Sequence, residues 1–250
     1  MKSILAKAIK IQAFIKRKVK ESRSKGAVIG LSGGIDSSLV CFLAARALGR
    51  KRVIGISLPD SASSPRDMQD AKGLAKLLKI RHKTHSIAKI VKAFDAAVKR
   101  DKKSLGNLKA RIRMCVLYSY ANSLGYLVLG TGNRSELLSG YFTKYGDGGV
   151  DALPIGSLYK TQVWEMSREL GLPKGIIEKA PSAGLWKGQT DEKEMGIKYA
   201  DLDRILHLMT EKKMPIGKIS KNINVSKSVV SRAAKMVSRS KHKLSMPEIC

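Results

Sequence analysis

The stretch from Ala27 to Ser38, Ala-Val-Ile-Gly-Leu-Ser-Gly-Gly-Ile-Asp-Ser-Ser, constrains the fold more than any other part of the chain. A short apolar run of strand type enters a serine–glycine turn, and a helical pattern over Ser38–Leu48 leaves it. Such a unit buries its strand only if further strands lie beside it. The sequence supplies them at Val53–Leu58, Lys83–Ile87 and Tyr126–Leu129, separated by helix-length segments. Strands alternating with helices predict βαβ units, hence a doubly wound, mostly parallel α/β sheet with helices on both faces.

The intervening helices are legible from period and punctuation. Ile4, Leu5, Ala8, Ile11, Ile15 and Val19 recur near 3.6 residues and predict an N-terminal helix over about 3–20. Ser64-Pro65-Arg66-Asp67 reads as a serine cap, a proline at the first helical position and an acid at the third, opening a helix to about Leu78. Further helices are expected to about Lys99, over Leu105–Leu124 and Lys160–Leu170, and in a C-terminal segment of about 200–240. Met114, Val116, Leu117 and Tyr120 give the helix at 105–124 an apolar face that suits either the core or a subunit interface. Residues 131–160 are rich in Gly, Asp, Tyr and Ser, and a long irregular stretch of that kind normally serves a site.

With 250 residues the chain has room for five or six strands in one domain spanning 1–250. Its 43% hydrophobic and 27% charged residues exclude a collagen-like or disordered chain. There is no run of 18 apolar residues to span a membrane. The opening MKSILAKAIK lacks the apolar core of a secretory signal, and Cys41, Cys115 and Cys250 form no CxxC. A cytoplasmic protein is expected. The abnormal number is a net charge of +28. A nucleic-acid partner is the first thing such a balance suggests. The bases are nevertheless spread over Met1–Lys25, Arg81–Arg111 and Thr210–Cys250, so no specific nucleic acid is expected.

Chemistry concentrates in the loop. Gly33 and Gly34 permit a tight turn in which backbone N–H groups approach a ligand, and the following helix adds its unpaired N–H groups. Ser32, Ser37 and Ser38 add hydroxyls, which together make a nest for phosphate oxygens. Asp36 would repel that phosphate unless it held Mg²⁺ there, the bland alternative being that Asp36 or Ser37 caps the helix. The loop is neither a Walker A motif, since no lysine follows the glycines, nor a G-x-G-x-x-G fingerprint. Glu136 lies past the end of the strand Tyr126–Leu129. It either caps the next helix or faces the same metal, because ligands of open parallel sheets gather at the strand ends.

Ser32–Ser37 resembles the pyrophosphate loop of the ATP pyrophosphatases, which cleave ATP between its α and β phosphates. Within that superfamily the later segments Asn107–Met114, Gly130–Glu136, Gly140–Gly149, Asp151–Ile155, Leu158–Thr161, Pro181–Trp186 and Asp191-Glu192, closed by His242-Lys243, are similar to the ammonia-using NAD synthetases in order and spacing. The resemblance implies a homodimer that converts deamido-NAD, ATP and free ammonia into NAD, AMP and pyrophosphate with Mg²⁺. It assigns ATP to Gly30, Leu31, Ser32, Gly33, Gly34, Ile35, Asp36, Ser37, Thr131, Lys160 and Ser182. It assigns deamido-NAD to Arg111, Lys144, Asp151, His242 and Lys243, and the metal to Asp36 and Glu136. For Arg111 and its neighbours Lys109 and Arg113 simple solvated charge is the bland alternative, and the resemblance gives Arg113 no role. Where the family often continues with arginine after His-Lys, this chain has Leu244.

Two other readings compete. A tRNA-modifying enzyme with the same loop would combine adenylation with the positive charge. A non-enzymatic helix-turn-helix protein would use Ile216–Ile219 and Val225–Val237. His82, His85 and His207 have no recurring metal-ligand partners, and Trp164 and Trp186 read as packing residues.

Overall fold

The computed structural model describes residues 2–95, 101–186, 188–247 and 249, so the end of the helix expected near Lys99 lies outside the described residues. Four parallel strands form one sheet: β1 Gly26–Gly30, β2 Val53–Ser57, β3 Arg81–Thr84 and β4 Tyr126–Leu129, in the order β3-β2-β1-β4. Beyond β4 a single parallel bridge joins Leu129 to Ala152, so the described sheet stops at four strands where the length left room for five or six.

Alternation along β1 decides which helices go where. Ala27 and Ile29 face a core built by α1 (Lys2–Glu21), α2 (Ile35–Leu48) and α3 (Pro65–Leu78) together with Leu129 and Val163. Val28 faces the other way, with Ile54, Ile56 and Val128, toward α4 (Ala88–Asp95) and α5 (Lys102–Leu124). The strand order reverses at β1, with β2 and β3 added on one side and β4 on the other, which makes the strand ends of β1 and β4 the crevice of a doubly wound sheet. In α1, Ile4, Ala8, Ile11, Ile15 and Val19 are buried as their spacing demands, whereas Leu5 lies one position off the stripe and is exposed. On α5, Val116, Leu117 and Tyr120 pack half-buried against the chain's own core.

Past β4 come α6 (Arg134–Ser139), α7 (Lys160–Glu169), α8 (Lys174–Ile177), α9 (Asp191–Met195), α10 (Tyr199–Thr210), α11 (Ile216–Ile223) and α12 (Lys227–Ser240). A second core of Tyr199, Leu202, Ile205, Leu206, Ile219, Ile223, Val230 and Ala233 holds α10, α11 and α12 together. The helix pair that mimics a helix-turn-helix thus has its apolar faces in this core. Ser240 Oγ also donates to Leu138 O at 3.0 Å, which carries the chain end to α6 and brings His242 and Lys243 back toward the sheet. Among the described residues no helix is long and apolar enough to cross a membrane.

Candidate active site

Helix α2 starts at Ile35, earlier than the periodicity suggested, with Gly34 as its N-cap and no capping side chain. Neither Asp36 nor Ser37 caps it. Ser37 Oγ and Ser38 Oγ instead donate back to Gly34 O at 3.0 and 2.7 Å, and Ser32 Oγ accepts from Gly34 N at 3.2 Å. Gly33 has φ +83°, and a Cβ there would sit 2.1 Å from Asp67 O, so the loop touches the first turn of α3 at a place only glycine allows. The result is a tight turn whose serine hydroxyls bond its own backbone around Gly34.

Two carboxylates and one ammonium meet beside it. Lys160 Nζ lies 2.5 Å from Asp36 Oδ2 and 3.7 Å from Glu136 Oε1. Asn133 Nδ2 donates to Asp36 Oδ1 at 3.0 Å, tying α2 to the start of α6. Of the two sequence alternatives for Glu136, the structure shows the helix cap. Its Oε2 closes a capping box by accepting from Asn133 N at 3.1 Å, while Oε1 faces Lys160. Burial, and then the charge of Asp36, push the Glu136 carboxyl up to about 8, against the opposing pull of Lys160. Burial works against the Lys160 ammonium as well, but Asp36 and Glu136 together hold it above its ordinary range.

Lys160 is placed by its own helix start. Ser135 Oγ accepts from Lys160 N at 2.9 Å and donates to Asp203 Oδ1, while Asp203 Oδ2 accepts from Thr161 N at 2.8 Å. Asp203 on α10 thus caps α7 from a distance and fixes the buried lysine. Tyr199 lies beneath it, with its ring centroid 5.3 Å from Nζ. Asp191 completes the floor, accepting from Ala183 N at 2.9 Å and Tyr199 Oη at 3.1 Å, and burial raises its carboxyl above the usual range.

This arrangement coincides with a family. The NAD synthase model matches residues 7–247. The chain belongs to the NAD synthase family. An NH(3)-dependent NAD(+) synthetase of Pyrococcus furiosus is 49% identical over 231 residues, covering 92% of this chain and 89% of the relative. A solved NMN synthetase from Francisella tularensis aligns at a TM-score of 0.89 with 37% identity, over 99% of this chain and 98% of that one. A solved NH3-dependent NAD synthetase from Campylobacter jejuni aligns at 0.84 with 33% identity, over the same shares.

In this chain, the residues expected to contact the dinucleotide fall into two places. Arg111 Nη2 reaches Lys144 O at 3.4 Å, Lys144 Nζ donates to His242 O at 2.6 Å, and Lys243 Nζ donates to Gly140 O and Phe142 O at 2.7 Å each. Asp151 stands apart from Lys144, its carboxylate accepting from Tyr118 Oη at 2.9 Å and Val128 N at 2.8 Å. Thr131 is half-buried in the loop that leaves β4, while Ser182 is exposed and accepts from Gly184 N at 3.1 Å.

For Lys109 the structure removes the solvated-charge alternative. The side chain is buried, paired with Asp60 at 2.8 Å and donating to Leu185 O at 3.0 Å. Arg113 shares Asp60 at 3.6 Å and donates to Leu58 O at 3.0 Å. Asp60 was missed because nothing local marks its partners 49 and 53 positions on. Lys179 was missed likewise. The three histidines have structural partners: His82 bonds Ser57 Oγ at 2.9 Å, His85 packs edge-on against Tyr120, and His207 meets Glu211 at 3.1 Å.

Proposed function

We propose that this chain amidates deamido-NAD with ammonia at the expense of ATP, as one domain over 1–250 working as a homodimer in the cytoplasm. The observation that supports this most is the convergence of Asp36, Glu136 and Lys160 on the rim of the Gly30–Ser38 nest. A carboxylate is a poor acyl donor because its leaving group would be oxide. Its oxygen therefore attacks the α phosphorus of ATP, the bond to the bridging oxygen breaks, and pyrophosphate departs with the electron pair. Ammonia then attacks the acyl carbon, AMP leaves and nitrogen loses a proton.

The chain's work in both steps is orientation and charge stabilisation. Gly30, Leu31, Ser32, Gly33, Gly34, Ile35, Asp36 and Ser37 form the triphosphate nest, with Thr131 and Ser182 at its sides. Lys160 supplies a fixed positive charge for the oxygens that become negative as pyrophosphate leaves. Arg111, Lys144, His242 and Lys243 form a basic patch for the dinucleotide, and Asp151, on the other side of that ligand, contacts it separately.

Mg²⁺ fits this donor set. Asp36 and Glu136 are hard oxygen ligands, and the Lys160 ammonium beside them marks a place built for positive charge. A nearby cation would favour the charged form of Glu136 against the burial and the Asp36 charge that push its carboxyl up. Among the described residues no group of three His, Cys, Asp or Glu side chains forms a ready metal cage, so phosphate oxygens would complete the sphere. When bound, the metal neutralises charge on the α and β phosphates.

The test is an assay of purified protein with deamido-NAD, ATP and Mg²⁺, supplied with ammonium or with ammonia-free glutamine. NAD, AMP and pyrophosphate in equal amounts from ammonium alone are expected, from a particle of twice the chain mass. Equal yield from glutamine would overturn the nitrogen donor. Nicotinic acid mononucleotide belongs in the same assay, because the Francisella tularensis relative is an NMN synthetase. A higher kcat/KM for the mononucleotide would move the assignment to that reaction.

A further inference from the structure

Lys179 lies on the segment that leads from α8 toward Ser182, outside every residue assigned above. Its ammonium makes two hydrogen bonds, to Gly33 O and Asp67 Oδ1, and an ion-pair contact with Asp70. Nζ is 3.0 Å from Gly33 O, 2.6 Å from Asp67 Oδ1 and 2.6 Å from Asp70 Oδ2. The partners belong to the phosphate loop and the first turns of α3. Gly33 and Asp67 are already in contact through the glycine's missing side chain. Lys179 therefore closes a three-way junction of the phosphate loop, α3 and the segment carrying Ser182.

We propose that Lys179 is a positioning residue for ATP: it holds the phosphate loop in its nest conformation and cancels two carboxylates beside it. The inference rests on the reading of that loop as the ATP site. Its electrostatic half follows from where the charges lie. Asp67 at the third position of α3 favours that helix start, but it also puts an anion against the loop that must receive a triphosphate. Asp70 adds a second, whose buried Oδ2 has no hydrogen-bond partner and faces Lys179 at ion-pair distance. With Lys179 in place the pair is largely neutralised. Without it, two like charges face the incoming phosphates and Gly33 O loses its tether. Arginine keeps the charge, but its planar fork does not fit three partners converging on one atom.

The experiment compares wild type with Lys179→Met, Lys179→Arg, Asp67→Asn/Asp70→Asn and the triple combination. It reads the steady-state constants for each substrate and the direct binding of a non-hydrolysable ATP analogue with Mg²⁺. Lys179→Met should raise the KM for ATP about tenfold, the size expected of a coupled charge cluster, and leave that for deamido-NAD unchanged. The defect should shrink as ionic strength rises, which a merely structural loss would not do. Lys179→Arg should fall between, and the two asparagine substitutions should recover most of the loss. An unchanged KM for ATP in Lys179→Met, or no recovery in the triple variant, overturns the proposal. If Lys179→Met does not fold, Asp67→Asn/Asp70→Asn alone decides. It should bind ATP as tightly as wild type or tighter, and weaker binding overturns the proposal. A wild type that binds the analogue but makes no NAD would refute the amidation reading, and analogue binding would still test Lys179.

Discussion

Lys160 Nζ and Asp36 Oδ2 lie 2.5 Å apart, although 124 residues separate them in the chain. The contact joins the helix after β1 to the helix after the long irregular loop. It places a buried cation between two carboxylates, Asp36 and Glu136. The two carboxylates around it are stable partners for each other only while a positive charge stands between them.

Lys160→Met should therefore harm the resting protein as well as the reaction. Removing one member of a buried charge cluster costs about 3–5 kcal/mol because its partners are left uncompensated. The variant should melt well below wild type, and millimolar Mg²⁺ should restore part of the difference by replacing the lost charge. The kcat should fall at least about 100-fold, as when one preorganised charge is removed from other sites of charge development. Thermal melts with and without Mg²⁺, followed by steady-state rates, check both parts.

Glu136 gives a pH signature with a defined sign. Its carboxyl is pushed up to about 8 by burial and by Asp36, from an ordinary value of 4.5. Between those limits the folded protein keeps a proton that the unfolded chain has released, so stability falls as pH rises through the window. Glu136→Gln removes that loss. In metal-free protein it should raise the melting temperature by several degrees at about pH 8.5 and change it little at about pH 5. Parallel melting profiles for the two proteins across that range would contradict the assignment.

The residues that sequence pattern reveals are those whose partners are local or periodic. The stripe of α1, the loop after β1 and the apolar runs of β1, β2 and β4 all follow from spacing within a few residues. The edge strand β3 is the exception, at Arg81–Thr84 rather than Lys83–Ile87. Its residues are mostly exposed and polar, whereas the apolar Ile87 that drew the expectation downstream is buried beyond the strand. Helix α6 is only six residues long and shows no period, and it is the Asn133-x-x-Glu136 capping box that marks its start. Ser64 sits at the N-cap of α3 as expected but makes no capping bond. Lys179 and Lys109 were illegible for a different reason. Each is one base among 48, and only the fold brings it to its acids.

The cysteines separate by environment. Cys41 is buried in α2, and burial pushes its thiol up to about 12, while Cys115 is exposed on α5. The thiolate is the reactive form. Iodoacetamide at about pH 8 should modify Cys115 within minutes and leave Cys41 untouched until the protein unfolds. Peptide mass spectrometry before and after denaturation reads the result, and early modification of Cys41 would refute it.

Arg111 and Lys243 separate binding from stability within one patch. Arg111 is exposed and makes one long contact, 3.4 Å to Lys144 O. Lys243 is more deeply placed, and its ammonium joins Gly140 O and Phe142 O while its ring contact with Phe142 is 5.2 Å. Arg111→Ala should thus leave the melting temperature nearly unchanged, as surface substitutions do. It should raise the KM for deamido-NAD about 10- to 100-fold, the worth of a lost charged hydrogen bond to an anionic ligand, and spare that for ATP. Lys243→Ala should raise the same KM and also lower the melting temperature, because two carbonyls lose their donor and the chain end loses its anchor to the 140–142 turn. The two variants measured side by side give the check. If Arg111→Ala affects ATP as strongly as deamido-NAD, the division of the site into a nest at the strand ends and a basic patch at Lys144 is wrong.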